Sequence, residues 1–290
     1  MFNKTNLFFL GLYVIIVLLL TLNHPVNPIA FDLYFLDIKW YGLLFSATIL
    51  MARFKMVSDI KRIDTSFGSK QADNLILYSC IGMVIGARLF YLVFYQYDLW
   101  ILYLKNPFFI IDVRQGGLSF HGGLIGLVIG VILFCIKNKI NFIKCMDVIA
   151  LTVPIGLAEG RIGNFINGEL WGKVTNLPIG VVFSSGGPLA RHPTQLYESF
   201  LEGVVLFFIL KAFSQKQRKD GSICGMFLLM YSIFRFLIEF VREPDSNLGY
   251  LAWDWLTMGQ VLCIPMFVIG IFLIFFYKRN IFSNKVMVLK

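Results

Sequence analysis

The sequence predicts an all-α protein that crosses a membrane several times, a polytopic helical bundle with a small periplasmic loop region. Of the 290 residues, 58% are hydrophobic and only 15% are charged, whereas soluble domains are roughly 25% charged. The apolar residues form long continuous runs, which are typical of transmembrane helices. The sequence has no series of short segments of alternating polarity, which a transmembrane β-barrel would need.

Apolar runs predict eight candidate spans. They cover residues 7–22, 41–57, 74–95, 119–137, 145–161, 193–213, 223–241 and 259–277. The predicted organisation is an N-terminal helix in residues 1–23, a transmembrane domain in residues 24–280 and a cytoplasmic tail in residues 281–290. Pro28 and Ala30 make a poor signal-peptidase site. We therefore expect the first helix to be retained, with a cleaved signal peptide as the alternative.

Lysine and arginine residues cluster in alternate loops. These loops lie near residues 4, 53–70, 137–144, 211–219 and 278–290. Because positively charged loops remain in the cytoplasm, both chain ends are predicted to lie inside. The loops near residues 23–40, 96–118, 162–192 and 242–258 are then predicted to lie outside. The net charge of +9 is explained by membrane orientation, and we expect no nucleic-acid partner.

Glycines recur four residues apart in several predicted spans. They are Gly82 and Gly86, then Gly122, Gly126 and Gly130, then Gly156 and Gly160. Small residues at this spacing let two helices approach closely in lipid. We predict that these glycines mediate helix packing and take no part in chemistry.

The cysteines are dispersed and lie in or beside apolar runs. They are Cys80, Cys135, Cys145, Cys224 and Cys263. Their spacing fits no metal site, and free cysteines in apolar surroundings are commonly inert. We expect buried thiols, no metal and no other cofactor.

Charged residues occur inside several predicted spans, among them Arg88 and Glu159. A charge near the middle of a bilayer helix costs about 2.5–3.5 kcal/mol on insertion scales, so such residues are expected to pair and to face the bundle interior. The clearest group is spaced by four, four and three residues, which places its members on one helix face. It consists of Tyr231, Arg235, Glu239 and Arg242. An ion pair used only for packing is one interpretation. The other is an anion site, since two arginines and one glutamate leave a surplus positive charge.

The predicted orientation brings polar residues from separate spans to the outer leaflet. His121 begins one span there, Arg161 ends another, and Arg235 lies in the outer half of a third. Guanidinium groups bind phosphate oxygens in pairs and stay charged. Histidine titrates near neutral pH, so His121 is the natural candidate for proton transfer. These residues indicate a phosphate-binding site at headgroup depth.

The segment "GRIGNFINGELWG", residues 160–172, predicts a re-entrant stretch. The helix is expected to break at Gly160 and Gly163. Asn164, Asn167 and Glu169 cannot face lipid, because irregular backbone at membrane depth is tolerated only where protein or a watery cavity covers it. We therefore expect this stretch to line a polar pocket.

Other polar residues near the predicted outer face have ordinary explanations. In "HPTQLYE", Thr194 is expected to cap the next helix and Glu198 to complement its dipole. His24 and His192 lie beside prolines and are interpreted as loop residues. Tyr41 follows Trp40 in a predicted interfacial belt, from which its hydroxyl could also reach a polar site.

Together these segments resemble a known family, the bacterial prolipoprotein diacylglyceryl transferases. "GRIGNFINGELWG" is similar to the family's signature. "KWYGLLF", "GGLSFHGGLIG", "HPTQLYE" and "RFLIEFVREPD" resemble its other recurrent segments, in the same order, over roughly residues 30–280. The resemblance implies seven core spans, so the apolar run at residues 7–22 is an extra N-terminal span that departs from the family pattern.

The resemblance implies a function. Enzymes of this family transfer a diacylglyceryl group from phosphatidylglycerol to the lipobox cysteine of a prolipoprotein signal peptide. A thioether forms and glycerol phosphate leaves, which is the first step of lipoprotein maturation. The implied location is the bacterial inner membrane, with the active site toward the outer leaflet.

The resemblance also assigns residues. His121, Arg161 and Arg235 match the family's catalytic positions. The matching substrate-binding positions are Tyr41, Asn164, Glu169, Gly172, Tyr231, Glu239 and Arg242. We expect His121 to act as base toward the substrate thiol, with Glu239 or Glu169 as groups that could share this role. The arginines are expected to stabilise the leaving phosphate.

Two functions from other classes compete with this interpretation. Intramembrane arginines and broken helices are also typical of anion transporters, although the sequence shows no convincing internal repeat. A non-enzymatic scaffold, in which the polar residues serve assembly only, is the other alternative.

Overall fold

The structure, a computed structural model, describes residues 4–22, 24–34, 36–63, 68–95, 108, 117–244 and 249–277. The chain is mostly helical and divides into two compact units. One comprises Met1–Lys55 and Ile149–Lys290, and the other Met56–Val148. The predicted tail, residues 281–290, and most of the predicted loop 96–118 lie outside the described residues.

The first unit begins with helix α1 (Lys4–Leu22), the predicted extra N-terminal helix. A short antiparallel hairpin follows, made of β1 (Ile29–Leu33) and β2 (Leu36–Lys39), which the all-α prediction did not include. Helix α2 (Trp40–Ile63) then contains the whole predicted span 41–57.

Helices α5 (Phe142–Ala150) and α6 (Val153–Asn167) replace the single predicted span 145–161. The helix is interrupted at residues 151–152, just before Pro154, whose ring and missing N–H are tolerated only in a helix's first turn. The predicted breaks at Gly160 and Gly163 are wrong, because α6 continues through both. It ends at Gly168, whose φ of 68° is the left-handed conformation that closes helices.

Residues 194–213 form a helix in three consecutive parts. These are α7 (Thr194–Glu198), a wider π-helical stretch (Ser199–Val205) and α8 (Leu206–Phe213). The predicted cap at Thr194 is wrong, since its hydroxyl donates to the Leu170 carbonyl instead, at 3.0 Å.

The last helices of this unit are α9 (Ser222–Ile238) and α10 (Met258–Ile271), the latter extended by a π-helical turn, Phe272–Phe276. They pack closely where a methyl group on Gly225 would lie 2.9 Å from the Gly270 carbonyl oxygen. Thr257 starts α10 with a capping box, in which it exchanges hydrogen bonds with Gln260.

The second unit contains α3 (Ser69–Tyr95) and α4 (Phe120–Asn138), which pack through the predicted glycines. A methyl group on Gly82 would overlap the Gly126 carbonyl, and one on Gly86 would overlap the Gly122 carbonyl. The packing prediction is thus confirmed for these helices. It is wrong for Gly160, where an added methyl group would meet no atom within 4 Å.

We expect Gly126→Ala to destabilise the protein by about 1–3 kcal/mol, because overfilling a close contact strains both helices. The methyl group would overlap the Gly82 carbonyl on α3. Gly160→Ala is the matched control and should be neutral or slightly stabilising, since alanine favours a helix. Thermal unfolding of the purified variants in detergent compares them, and equal melting temperatures would contradict the packing role.

Several of the described helices are apolar and long enough to cross a membrane. These are Ser69–Phe94, His121–Asn138 and Met258–Phe276, with shorter apolar helices at Tyr13–Leu22 and Ser222–Ile238. The predicted helical membrane architecture is therefore confirmed in its general form. The count of seven core spans plus one stays a prediction.

Candidate active site

A buried carboxylate lies at the centre of the candidate site. Glu198, at the end of α7, has no exposed side-chain surface. In the described chain its oxygens bind Arg161 (Nε to Oε2, 2.5 Å), Arg235 (Nη1 to Oε1, 2.6 Å) and Arg242 (Nη1 to Oε1, 3.2 Å). The prediction that Glu198 merely complements a helix dipole is therefore wrong.

Glu239 supplies a second buried carboxylate to the same arginines. Its Oε1 forms an ion pair with Arg235 and lies 3.8 Å from Nε of Arg242. Its Oε2 accepts a hydrogen bond from the Thr257 hydroxyl at 3.1 Å. The predicted pairing of Arg235, Glu239 and Arg242 is confirmed. We call this group, together with Arg161 and Glu198, the arginine cluster.

The arginine cluster keeps the charge imbalance that the sequence indicates. Its arginines outnumber its two carboxylates by one positive charge. Removing ions from water is costly unless each is paired and hydrogen-bonded. A cluster with one surplus cation is therefore suited to a singly charged anion.

A close helix crossing positions Arg161 against Glu198. The Ser199 hydroxyl donates to the Ala158 carbonyl at 2.9 Å, and a methyl group on Gly203 would lie 2.5 Å from Ala158 Cβ. Arg161 is one helical turn after Ala158 on α6, so the crossing brings its guanidinium to the carboxylate.

Glu202 is a further acidic residue of this site. Its side chain is fully buried, and among the described residues neither carboxyl oxygen has a hydrogen-bond partner. The charges of Glu198 and the three arginines of the cluster all act on it. Our sequence interpretation missed Glu202 as well as the role of Glu198. The signal was present, since both are acidic residues inside a predicted span, where charge is costly.

The residues predicted to line a polar pocket, on α6 and in the turn after it, contact one another. Glu169 accepts hydrogen bonds from Asn164 at 2.8 Å and from Asn167 at 3.1 Å. Its backbone carbonyl accepts a further bond from Gln195 at 2.6 Å. The Gln195 contact holds the turn after α6 against the start of α7. The aromatic ring of Tyr41 packs against Gly163 in the same stretch, where a methyl group would lie 2.7 Å from the ring.

Tyr231 faces the arginine cluster from α9, one turn before Arg235. Its phenol interacts electrostatically with Arg235, Arg161 and Glu198, and its ring stacks on Phe227 with 5.7 Å between centroids. Tyr231 and Arg235 thus share a face of α9 as predicted, whereas Glu239 caps the helix and Arg242 lies after its end.

Gly172 lies where the segment after α6 pairs with two other backbone segments. Its N–H donates to the His192 carbonyl at 2.8 Å, and the next N–H donates to the Val241 carbonyl at 2.9 Å. A methyl group on Gly172 would lie 2.5 Å from the Val241 oxygen and 2.7 Å from Thr194 Cγ2. Only glycine fits this position without a shift of backbone.

We expect Gly172→Ala to cost about 1–3 kcal/mol of stability, as overpacking typically does. Because Gly172 pairs with the backbone of Arg242, the shift should also lower activity. Gly42→Ala is the control, since an added methyl group there meets no atom within 4 Å. A Gly172→Ala protein with unchanged melting temperature would contradict this packing argument.

Arg191 fixes the loop that precedes α7 and was not singled out from the sequence. Its guanidinium stacks over the Trp171 ring at 4.0 Å and binds Glu243 at 3.0 Å. It also donates to the carbonyls of Gly186 (2.9 Å) and Gly172 (3.3 Å). These contacts connect the beginning of the loop that precedes α7, at residues 171–172, to its later part at residue 186.

The two loop histidines lie in partly buried positions, as expected for structural residues. His24 packs between Phe165 and Phe183, each 5.0 Å away between ring centroids. His192 Nδ1 lies 3.1 Å from the Tyr197 hydroxyl. Burial lowers the pKa of both imidazoles, which favours their neutral forms.

His121 belongs to the other compact unit, at the start of α4. Ser119 caps this helix by accepting the Gly122 N–H, and the histidine side chain is exposed. In the same unit, Arg88 donates to the Gly117 carbonyl at 3.0 Å and lies over the Tyr91 ring. The predicted convergence of His121 with the arginine cluster stays a prediction.

Comparison with known proteins places the chain in a family. The family model described as "Prolipoprotein diacylglyceryl transferase" matches residues 28–276, so α1 precedes the matched part. A Pseudomonas aeruginosa protein named phosphatidylglycerol–prolipoprotein diacylglyceryl transferase is 48% identical over 261 residues, 89% of this chain and 97% of the relative.

Other organisms have relatives with the same name. The protein of Nitratidesulfovibrio vulgaris is 46% identical over 249 residues, 86% of this chain and 94% of the relative. That of Mannheimia succiniciproducens is 44% identical over 255 residues, 88% of this chain and 94% of the relative. The resemblance that the sequence motifs indicated is confirmed. This chain, with its arginines held on buried carboxylates, belongs to the prolipoprotein diacylglyceryl transferase family.

Proposed function

We propose that this transferase moves the diacylglyceryl group of phosphatidylglycerol to the thiol of a prolipoprotein's lipobox cysteine. The product is a thioether, and glycerol phosphate is released. The arginine cluster is the observation that carries this proposal, because buried guanidinium groups with one surplus positive charge suit a lipid phosphodiester.

The arginines have donors available for the phosphate. Arg161 uses Nε for Glu198, and in the described chain its two terminal nitrogens form no ion pair. The side chains of Arg161 and Arg235 keep 19% and 14% of their surface exposed, whereas Glu198 keeps none. The Glu198 carboxylate is thus fully enclosed, while part of each of these arginine side chains stays accessible.

The reaction is a displacement at a glycerol carbon. The substrate sulfur forms a bond to that carbon, the carbon–oxygen bond to phosphate breaks, and its electron pair remains on the departing phosphate oxygen. Arg161 and Arg235 stabilise the charge that develops there, which typically contributes a few kcal/mol per donor. Asn164, Glu169, Gly172, Tyr41 and Tyr231 border or support the lipid headgroup site.

His121 is the proposed base that accepts the thiol proton. A thiol has a pKa of about 8.5 in water, so only a small fraction is nucleophilic thiolate at neutral pH. Of the alternatives, Glu239 has both oxygens engaged by Arg235, Arg242 and Thr257. Glu169 accepts from two asparagine amides. These contacts favour His121 for the role.

We further propose the bacterial inner membrane as the location, with seven core spans plus α1 and with the active site toward the outer leaflet. The alternation of basic loops along the sequence supports this orientation. The signal peptide of a prolipoprotein then presents its cysteine at the same leaflet as the lipid headgroup.

Transfer of labelled lipid to a peptide tests the proposal. Purified protein in detergent is mixed with phosphatidylglycerol labelled in its acyl chains and a lipobox peptide, and the product is identified by mass spectrometry. We expect a diacylglyceryl thioether with the cysteine peptide and none with a serine peptide. Lipid binding with neither transfer nor headgroup release would favour the anion-transporter alternative.

A further inference from the structure

Glu202 is a buried acid that the proposed reaction does not use. Its side chain is fully buried, and both carboxyl oxygens lack hydrogen-bond partners in the part of the chain that the structure describes. Burying a polar group without a partner is costly. Such a group in a native protein therefore calls for an explanation.

The helix crossing places Glu202 at the arginine cluster. Glu202 follows Glu198 by four residues on the same helix and directly precedes Gly203, which packs on Ala158 of α6. Arg161 lies one turn further along α6. Glu202 is consequently within electrostatic reach of Arg161, Arg235 and Arg242 as well as Glu198.

The net charge of the site depends on whether Glu202 is ionised. The arginine cluster alone has one surplus positive charge, and an ionised Glu202 reduces this to zero. A bound phosphodiester, which also has one negative charge, does the same. With both present the site would have a net negative charge, and a nearby negative charge favours the protonated form of a carboxyl group.

We propose that Glu202 compensates the charge of the empty site and takes up a proton from water when an anionic phosphodiester binds to the arginine cluster. The proton returns to water when the anion leaves. Glu202 is thus a positioning residue that acts through the charge of the arginines. This inference rests on the proposed function, because it takes the arginine cluster as the lipid phosphate site.

Other charged or titratable groups face Glu202 from each neighbouring element. They are Glu198 on its own helix, Arg161 on α6, Tyr231 and Arg235 on α9, Arg242 after α9, and Cys263 on α10. On α1, Tyr13 donates a hydrogen bond to Ser199. The arginines stay charged at ordinary pH, and Glu198 is paired with three of them. Glu202, with no hydrogen-bond partner among the described residues, is the acid best placed to change its protonation state.

Calorimetry of lipid binding tests this inference. Purified protein in detergent is titrated with short-chain phosphatidylglycerol in buffers of different ionisation enthalpy, and the protons taken up are obtained from the difference in heat. Without peptide no transfer occurs, so binding alone is observed. We expect uptake of about one proton per lipid, and binding that tightens as pH falls, since linkage requires both together.

Glu202→Gln keeps the shape of the side chain but cannot titrate. We expect it to bind phosphatidylglycerol without proton uptake and with little dependence on pH. Glu202→Asp keeps an acid and should retain the uptake, and so should Glu243→Gln, which removes a more exposed acid outside the arginine cluster. Short-chain phosphatidylcholine, whose headgroup has no net charge, should cause no uptake in the wild-type protein.

Retention of the full proton uptake in Glu202→Gln would overturn the inference and assign the proton to another group, such as His121. Binding by the wild-type protein without any uptake would overturn it as well. The transfer assay separates the two proposals. Normal transfer with uptake that is insensitive to Glu202 contradicts this inference alone, whereas uptake without transfer contradicts the proposed function alone.

Discussion

Arg235→Lys is expected to lower transfer activity by about 100-fold or more, the scale seen when one transition-state donor is removed. Arg235 uses Nη1 for Glu198 and Nη2 for Glu239, so its planar fork spans two carboxylates. A lysine keeps the charge but is a single point donor and cannot reproduce this geometry. The substituted side chain would pair with one carboxylate and leave the phosphate poorly held.

The measurement is the initial rate of lipid transfer to the lipobox peptide at saturating phosphatidylglycerol. Arg218→Lys is the matched control, because Arg218 is exposed between α8 and α9 and donates to the Phe213 carbonyl rather than to a carboxylate of the arginine cluster. Its rate should equal that of the wild-type protein. A folded Arg235→Lys protein with wild-type turnover would rule out the phosphate-clamp role of this arginine.

Glu198→Gln is expected to produce the largest loss of stability, about 3–5 kcal/mol, the range found when one partner of a buried ion pair is removed. The carboxylate binds three arginines of the described chain and has no exposed surface. Glutamine has nearly the same shape, so the loss would come from charge. Arg161 would be affected most, since Glu198 is its ion-pair partner in the cluster, whereas Arg235 and Arg242 also contact Glu239.

Unfolding of the detergent-solubilised variants gives the comparison. Glu243→Gln removes a different glutamate–arginine pair, in which the Glu243 side chain keeps 42% of its surface exposed, and pairs of this kind contribute at most about 1 kcal/mol. Glu198→Gln should therefore unfold at a much lower temperature than Glu243→Gln. Equal melting temperatures would mean that Glu198 does not hold the cluster.

The spacing of residues along the chain was sufficient to predict several structural features. The four-residue spacing of Tyr231 and Arg235 places both on one face of α9, because an α-helix repeats every 3.6 residues. Glu239 caps this helix and pairs with Arg235, whereas Arg242 lies beyond the helix end at Ile238. The four-residue spacing of Gly122 and Gly126 likewise forms a smooth stripe against α3. In both cases the geometry of a single helix determines which residues share a face.

The same reasoning failed where a second segment decides the outcome. Gly160 has the same spacing as the packing glycines, yet it faces open space. Gly163 does not end α6, and the turn comes at Gly168, whose positive φ ends the helix. A glycine permits a break or a contact, but the neighbouring chain determines which occurs.

By itself, the sequence determined the helical membrane character, through composition and periodicity, and it indicated the family and the arginines of the candidate site through specific motifs. Only the tertiary structure decided that Glu198 binds Arg235, 37 residues away, and that Glu202 is buried beside them. The physical reason is that ion pairing across segments depends on where α6 crosses the helix of residues 194–213. That crossing results from close packing at Ala158, Ser199 and Gly203, which no pattern within one helix specifies.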